Sequence, residues 1–359
     1  MELDWTVIGG LLAGAVAGWA ARFGRLCTMS AIEDALVAGD YRGVRAWAIA
    51  IAVAAGATHA GELAGLIDLS QTHYANPRLH VLGLLLGGFM FGLGMTLVGT
   101  CSFGLLVRAG GGDLRAGVSS MIVGIFAIAV TAGLLAPLRT ALLDIGVVDL
   151  SSAGGARIDG LVNRGFGRAT AVIAVILLVV APLALSLRDA RLRKRPRMIL
   201  GAVTMGVAIV VGWLASSHAV ETMALTRPES LSFVAPTGRA LMQFMIEPFR
   251  NAGFGVAAMA GVLAASFVTA LVRGEFRYEA FDDATEMRRH LVGGALMGVG
   301  GVMAQGCTIG QGLSASSTLA VSAPIFVFAV ILGAKAGLSY LLEGQAMWRL
   351  GRPSGTVHL

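Results

Sequence analysis

Charged residues are scarce in this chain. Asp, Glu, Lys and Arg make up 13% of its 359 residues, whereas 56% are hydrophobic. A soluble domain carries about 25% charged residues, and several apolar runs here reach the roughly 20 residues that a helix needs to cross a bilayer. A spanning β-barrel would show short alternating segments instead. The composition therefore excludes an ordinary soluble protein and predicts an all-α polytopic membrane protein surrounded by lipid.

Cysteine is also rare, and its spacing excludes two common uses of the residue. Cys27, Cys101 and Cys307 lie far apart and form no Cys-x-x-Cys pair. That pattern argues against a disulfide framework and against a zinc site, so we expect no metal and no cofactor. A basic region is missing before the first apolar run, because residues 1–4 are acidic or apolar. We therefore expect this run to be a retained span and not a cleaved signal peptide.

Positive charge is modest and is not arranged for nucleic acid. The formal net charge is +6, and the basic residues lie in short loops between apolar runs. Such residues act as orientation signals in membrane proteins, so we predict no nucleic-acid partner. Glycine, by contrast, is abundant, with 50 residues, which suits close helix packing in a membrane bundle. Gly10 and Gly14 in the first span should only shape such a contact and tolerate alanine.

Many of the glycines belong to a repeat that includes two of the cysteines. Placing Cys101 on Cys307 aligns glycines and a hydroxyl residue without a gap. The aligned pairs are Gly87 with Gly293, Gly88 with Gly294, Gly92 with Gly298, Gly94 with Gly300, Ser102 with Thr308 and Gly104 with Gly310. The repeat predicts a protein of two halves with a cysteine at the same structural place in each. In a membrane protein this points to a pathway between the halves.

The apolar runs predict about nine transmembrane helices. They lie near residues 5–22, 44–67, 79–98, 115–137, 166–187, 198–220, 252–272, 290–305 and 318–343. Some further apolar pieces are too short or too broken to span. They are residues 26–38, 99–112, 236–248 and 305–317. We interpret them as re-entrant segments, because irregular backbone at membrane depth survives only inside protein or along a cavity.

The basic loops predict the orientation. Residues 188–197 hold six Arg or Lys residues and should be cytoplasmic, which places the N-terminus in the periplasm and the C-terminus in the cytoplasm. The first four and last four spans then run in opposite directions, so the two pseudo-repeats are inverted. The predicted domains are the first inverted repeat (1–137), a connector with span 5 and the basic loop (138–197), the second inverted repeat (198–343) and a cytoplasmic tail (344–359).

The cysteines and their neighbours are the first candidates for chemistry. The cysteines lie in breaks between spans, where a thiol can be a soft contact for a sulfur-containing anion, although cysteine is also a common small buried hydrophobe. The flanking glycines allow φ > 0 and expose N–H groups that could face an anion; alternatively they only make turns. The glycines and hydrogen-bond donors are Gly99, Thr100, Ser102, Gly104, Gly306, Thr308, Gly310 and Gln311.

Some ionisable residues are also candidates. Arg25 and Arg239 each follow a glycine in a short apolar piece, with Leu241 in the place that corresponds to Cys27. Either arginine could attract an anion, or it could be an ordinary headgroup anchor. Intramembrane ionisable residues such as Glu62 are functional candidates by default, although a structural pair is an equal alternative.

The motifs around the cysteines resemble those of the YeeE/YedE sulfur-transport family. They read Gly-Arg-Leu-Cys at 24–27, Gly-Thr-Cys-Ser-Phe-Gly at 99–104 and Gly-Cys-Thr-Ile-Gly-Gln-Gly at 306–312, and the resemblance covers nearly the whole chain. It implies an hourglass-shaped thiosulfate transporter of the inner membrane, in which Cys27, Cys101 and Cys307 match three essential cysteines. It also implies a small cytosolic sulfur carrier of the TusA type as a common functional companion.

These observations lead to one expected function and two alternatives. We expect a transporter, not an enzyme, that imports thiosulfate through a central pathway lined by the three cysteines. A selenium-compound permease of the same family would share this site. A membrane enzyme of thiol redox chemistry or sulfur transfer is the alternative from another class, and the missing Cys-x-x-Cys pair argues against it.

Overall fold

Long helices make up most of the chain in the computed structural model, which describes residues 5–151, 155–222, 225–246 and 253–343. The helices of the first half are α1 (Trp5–Gly24), α2 (Thr28–Val37), α3 (Arg42–Leu63), α4 (Val81–Val98), α5 (Ser102–Gly110) and α6 (Leu114–Thr131). The connector holds α7 (Ala136–Asp144), α8 (Ile158–Phe166), α9 (Arg168–Leu187) and α10 (Ala190–Arg193). The second half has α11 (Pro196–Glu221), α12 (Val234–Ile246), α13 (Phe254–Val272), α14 (Ala284–Met303), a π-helix (Gly310–Ser314), α15 (Ala315–Ser317) and α16 (Ser322–Glu343).

The long helices confirm the prediction of an all-α polytopic membrane protein. Within the described residues, eight of them are long and apolar enough to cross a membrane. The ninth long helix, α14, coincides with a predicted span but carries Glu286, Arg288 and Arg289 near its start. The strands are short: β1 (Arg78–His80) pairs antiparallel with β2 (Val147–Asp149).

The predicted re-entrant pieces form short helices or a π-helix. Helix α2 has 10 residues and α5 has 9, both too short to cross a bilayer. The piece at 305–317 becomes the π-helix and α15. The piece at 236–248 becomes α12, which begins two residues earlier, and residues 247–248 lie outside the described part. Each half therefore has the same order of long, short, long, long, short and long segments.

Glycines bring the two repeat helices α4 and α14 together in a reciprocal, antiparallel contact. A Cβ atom built on Gly87 would lie 2.5 Å from the carbonyl oxygen of Gly300, and one built on Gly300 would lie 2.5 Å from that of Gly87. The same exchange joins Gly94 and Gly293, at 2.5 and 2.7 Å. Such distances leave no room for a side chain. Because the repeat sets Gly87 on Gly293 and Gly94 on Gly300, each contact maps onto the other, as a two-fold axis between the halves requires.

The neighbours of these helices are exchanged in the same way. Helix α4 packs against α16 of the other half, and α14 packs against α6. Likewise α1 packs against α13, and α11 packs against α3. The short elements also pack against the other half: α5 contacts α13, and α15 and the π-helix contact α3. The halves are thus interlocked, and the short segments that hold the cysteines are packed against the opposite half.

The expectation that Gly10 and Gly14 tolerate alanine is wrong. A Cβ atom on Gly10 would lie 2.5 Å from the carbonyl oxygen of Phe254, and one on Gly14 would overlap the backbone of Ala258. Backbone atoms of a packed helix cannot move aside as a flexible side chain can. Alanine at either position would therefore push α1 away from α13.

Candidate functional site

Each cysteine follows a break in which the chain takes a left-handed turn. The residue two positions before each cysteine has a positive φ angle, and a long helix ends just before it. These residues are Arg25 (φ 52°), Gly99 (φ 78°) and Gln305 (φ 59°). Glycine adopts this conformation freely, but it costs other residues roughly 1–2 kcal/mol. Such strain often collects at functional sites, and here the same turn presents all three thiols.

Two thiols are held by the same hydrogen bond. We call residues 99–104 the Cys101 loop and residues 305–310 the Cys307 loop. The N–H of Gly104 donates to Sγ of Cys101 at 3.5 Å, and the N–H of Gly310 donates to Sγ of Cys307 at 3.5 Å. Both cysteines are buried. The predicted equivalence of the two loops therefore extends to the thiol geometry, and the nearby N–H groups face sulfur.

The third thiol reaches the Cys101 loop from the start of α2. Sγ of Cys27 lies 3.7 Å from Oγ1 of Thr100, within hydrogen-bond range for sulfur. The Cys101 thiol is in turn close enough to Cys27 and Cys307 to interact electrostatically with both, and it is within reach of the Thr308 hydroxyl. All three cysteines are free. The fold thus brings together thiols that are distant in sequence.

A hydroxyl residue follows each cysteine, and none of these hydroxyls makes a regular hydrogen bond within the described residues, although that of Thr308 lies close to the Cys101 thiol. Oγ1 of Thr28, Oγ of Ser102 and Oγ1 of Thr308 are buried without a hydrogen bond in the described part of the chain. An unsatisfied buried polar group costs about 1–3 kcal/mol. Other hydroxyls of the described helices, such as those of Thr58 and Ser266, are also unpartnered, so what distinguishes these three is that each adjoins a thiol. Ser102 and Thr308 were predicted from the repeat. Thr28 was missed, although the shared Cys-(Ser/Thr) pair could have identified it.

The predicted glycines differ in what they do. Gly99 has a positive φ, whereas φ > 0 is wrong for Gly104, Gly306 and Gly310. Gly104 is instead required by space, because a Cβ atom would overlap Oγ1 of Thr100. A Cβ atom on Gly306 would lie 2.9 Å from Cγ of Gln311. Most of these glycines therefore make room for polar neighbours of the thiols.

The two predicted arginines, Arg25 and Arg239, do not occupy equivalent positions in the two halves. Arg25 turns outward, with its side chain 79% exposed and 3.6 Å from a carboxylate oxygen of Glu275. Arg239 is exposed in the middle of α12 and not in a turn before a short helix, so its predicted equivalence to Arg25 is wrong. The residue that precedes α12, as Cys27 precedes α2, is the buried Phe233, not Leu241.

The remaining polar candidates have clear places. Gln311 is buried, and its amide oxygen accepts a hydrogen bond of 3.0 Å from Ser322 Oγ. Gln311 and Ser322 line a polar recess together with Tyr74 and Arg78. Glu62 forms two hydrogen bonds with Arg157, at 2.6 and 2.9 Å, which gives it a structural role away from the cysteines.

Comparison with known proteins places the chain in a transport family. The profile of the family described as sulphur transport matches residues 23–336, which include all three cysteines. A thiosulfate transporter TsuA from Escherichia coli is 27% identical over 316 residues, covering 84% of this chain and 85% of that protein. Another thiosulfate transporter TsuA, from Spirochaeta thermophila, is 26% identical over 318 residues, covering 84% of this chain and 88% of that protein.

Proposed function

Because the chain belongs to the sulphur transport family, whose members compared above are transporters and not enzymes, we propose that it imports thiosulfate through a pathway lined by Cys27, Cys101 and Cys307. The observation that carries the proposal is the set of three buried, unpartnered hydroxyls, one beside each thiol. Because no group of the described protein uses these hydroxyls, they are available to donate hydrogen bonds to a substrate.

The chemistry of thiosulfate matches both the hydroxyls and the thiols. Its oxygens accept hydrogen bonds, and hydroxyls such as those of Ser102 and Thr308 can donate them. Its terminal sulfur is soft and polarizable, as are the thiols. Stripping water from an anion is costly unless donors are already in place, and the buried hydroxyls replace part of that hydration. Several weak contacts in series let the ion move on, whereas one strong site would trap it.

We propose that the ion enters from the periplasm by way of Cys307 and leaves past Cys101 and Cys27. The basic residues of 188–197 support a cytoplasmic position for that loop in the bacterial inner membrane. Labelling of single added cysteines in residues 188–197 and 225–233, in a variant without the native three, tests the orientation. Labelling of both segments from the same side would contradict it. A TusA-type carrier in the cytosol remains a proposed partner on the exit side.

The direct test is uptake of labelled thiosulfate by proteoliposomes that contain the purified protein. We expect saturable uptake above protein-free liposomes and recovery of unchanged thiosulfate from the lumen. Chemically altered sulfur in the lumen would favour a sulfur-transfer reaction. Stronger inhibition by selenite or selenosulfate than by unlabelled thiosulfate would favour a selenium compound as the substrate. Absence of uptake with a folded protein would contradict the proposal.

A further inference from the structure

The second half of the molecule has Phe233 in the position of Cys27, and the residue before it, Ser232, brings a hydroxyl to the Cys307 loop. In the first half, the loop before α2 carries Cys27 to the Cys101 loop. In the second half, the loop before α12 carries Ser232 to the Cys307 loop. A Cβ atom built on Gly310 would lie 2.8 Å from Oγ of Ser232. Ser232 therefore approaches the Cys307 loop from the connection before α12, as Cys27 approaches the Cys101 loop from the connection before α2.

A second hydroxyl reaches the same turn from the loop between α3 and α4. Oη of Tyr74 lies 3.5 Å from the position of a Cβ atom on Gly310. The N–H of Gly310 is the group that holds Cys307 Sγ, so both hydroxyls border the turn that presents the thiol. We propose that Ser232 and Tyr74 form an outer subsite that donates hydrogen bonds to the oxygens of thiosulfate while its sulfur contacts Cys307. This inference rests on the proposed function.

The hydrogen bonds around Ser232 leave its hydroxyl free for a ligand. Ser230 Oγ donates to the carbonyl of Ile209 at 2.9 Å, and Ser314 Oγ donates to the carbonyl of Leu231 at 2.8 Å. These bonds fix the loop on both sides of Ser232. Among the described residues the Ser232 hydroxyl itself has no partner, and its side chain is half-buried. A fixed backbone with an unused hydroxyl is a preorganised donor.

Tyr74 is likewise held in place and kept protonated. Its ring makes an edge contact with Trp213, with 6.3 Å between ring centres, and it packs against Ala315, Ala320 and Ala323. Burial raises the pKa of Tyr74 far above its ordinary value, and the proximity of Cys307 and Glu229 raises it further. The phenol is therefore a neutral donor over the whole physiological range. It also lines the polar recess that includes Arg78, a cation suited to attracting an anion.

The test compares Ser232→Ala and Tyr74→Phe with the matched control Ser230→Ala in the proteoliposome assay. A hydrogen bond to a charged group contributes about 1.5–3 kcal/mol, and 1.4 kcal/mol is a factor of about ten. We expect each of the first two variants to raise the KM for thiosulfate about tenfold with little change in maximal rate. Ser232→Cys, which keeps a donor, should restore much of the affinity. Ser230→Ala removes one bond that fixes the loop but no donor of the subsite, so it should lower thermal stability and raise KM far less than the first two variants.

The outcomes separate this inference from the function on which it rests. Parent protein that takes up thiosulfate, with unchanged KM in both Ser232→Ala and Tyr74→Phe, overturns the subsite and leaves the function standing. An equal rise of KM in Ser230→Ala also overturns it, because the position of the loop would then matter and not the hydroxyl. Folded parent protein that takes up no thiosulfate overturns the proposed function, and the subsite with it.

Discussion

The Cys101 loop and the Cys307 loop hold their thiols alike but differ in what surrounds them. In each, a left-handed residue precedes the cysteine and a glycine N–H donates to sulfur at 3.5 Å. The Cys101 loop then continues as the regular helix α5, whereas the Cys307 loop enters a π-helix. Another thiol, Cys27, faces the first loop, and the hydroxyls of Ser232 and Tyr74 face the second.

The comparison separates what the repeat preserves from what it varies. Both halves keep a left-handed turn, a cysteine two residues later and an unpartnered hydroxyl on the next residue. The residues that face the two loops differ: Cys27 faces the Cys101 loop, whereas Ser232 and Tyr74 face the Cys307 loop. This difference is expected if an anion meets hydroxyl donors first and a second thiol later. A π-turn adds one residue to a helix and often marks a functional site. In the second half the π-helix contains the buried Gln311, while the turn before Cys307 keeps the left-handed residue found before Cys101.

Removal of either buried thiol should have the largest effect. We expect Cys101→Ala and Cys307→Ala each to reduce thiosulfate uptake to that of protein-free liposomes, because each thiol is the soft contact of its own loop. Cys→Ser keeps a donor but loses the polarizable sulfur, so we expect severe loss there too. Thermal unfolding should show that the variants still fold. Full transport by the serine variants would mean that hydrogen bonding alone suffices.

Alanine at the paired glycines Gly104 and Gly310 should disturb the Cys101 loop more than the Cys307 loop. In Gly104→Ala, the new methyl group overlaps Oγ1 of Thr100, which contacts Cys27. In Gly310→Ala, it meets Oγ and Cβ of Ser232 at 2.8 and 3.1 Å, a milder overlap that a small shift of the loop before α12 can relieve. Overpacking costs on the order of 1–3 kcal/mol, so Gly104→Ala should slow initial uptake by about tenfold or more, and Gly310→Ala by less.

The control for this pair is Gly117→Ala in α6. A Cβ atom there would meet nothing within 4 Å, so uptake should match that of the parent protein and stability should not fall. Equal, mild effects of Gly104→Ala, Gly310→Ala and Gly117→Ala on uptake would show that the two loops do not line the path. The site assignment would then fail.

The left-handed turns offer a smaller and purely conformational test. A Cβ atom on Gly99 would meet nothing within 4 Å, but φ there is 78°. Gly99→Ala should therefore cost about 1 kcal/mol of unfolding free energy through the backbone alone. In the Cys307 loop, Gln305 already bears this cost at φ 59°, so Gln305→Gly should not destabilise the protein. Denaturant midpoints in detergent measure both, and equal losses in the two variants would contradict the interpretation.

Periodicity and repetition made the helices and the two matched cysteine loops predictable. Apolar runs of bilayer length leave few other structures, and the pairing of glycines with a cysteine exposed the internal repeat. The close approach of α4 and α14 follows from glycines such as Gly87 and Gly300. The predicted Cys101, Ser102, Cys307 and Thr308 do come together in one region of the fold.

Other features depend on tertiary contacts that one sequence does not display. The left-handed turns at Arg25 and Gln305 are formed by residues other than glycine, so the sequence does not indicate them. The intolerance of Gly14 comes from the backbone of α13, which is distant in sequence. The counterpart of Cys27 was missed because it is a phenylalanine, Phe233. The shared Gly-Arg pair led instead to Leu241, which lies inside α12.

The smallest expected effect comes from the carboxyl group of Glu229. It lies in the loop before α12 and is near enough to Tyr74 to interact with it electrostatically. Burial raises the pKa of Glu229 above its ordinary value of 4.5, and the positive charge of Arg239 partly opposes the rise. The folded protein therefore binds this proton more tightly than the unfolded chain. The resulting stability is fully present below pH 4.5 and is lost as the pH rises through the raised pKa.

The isosteric variant Glu229→Gln should remove this dependence. We expect its unfolding midpoint to match that of the parent protein near pH 4 and to exceed it increasingly towards neutral pH, because glutamine avoids burying a charge. Since Glu229 also interacts with Tyr74, loss of its negative charge should modestly lower the KM for thiosulfate at neutral pH. Parallel pH profiles of the two unfolding midpoints would show that Glu229 is not desolvated. An unchanged KM with diverging midpoints would place its charge outside the path of the anion.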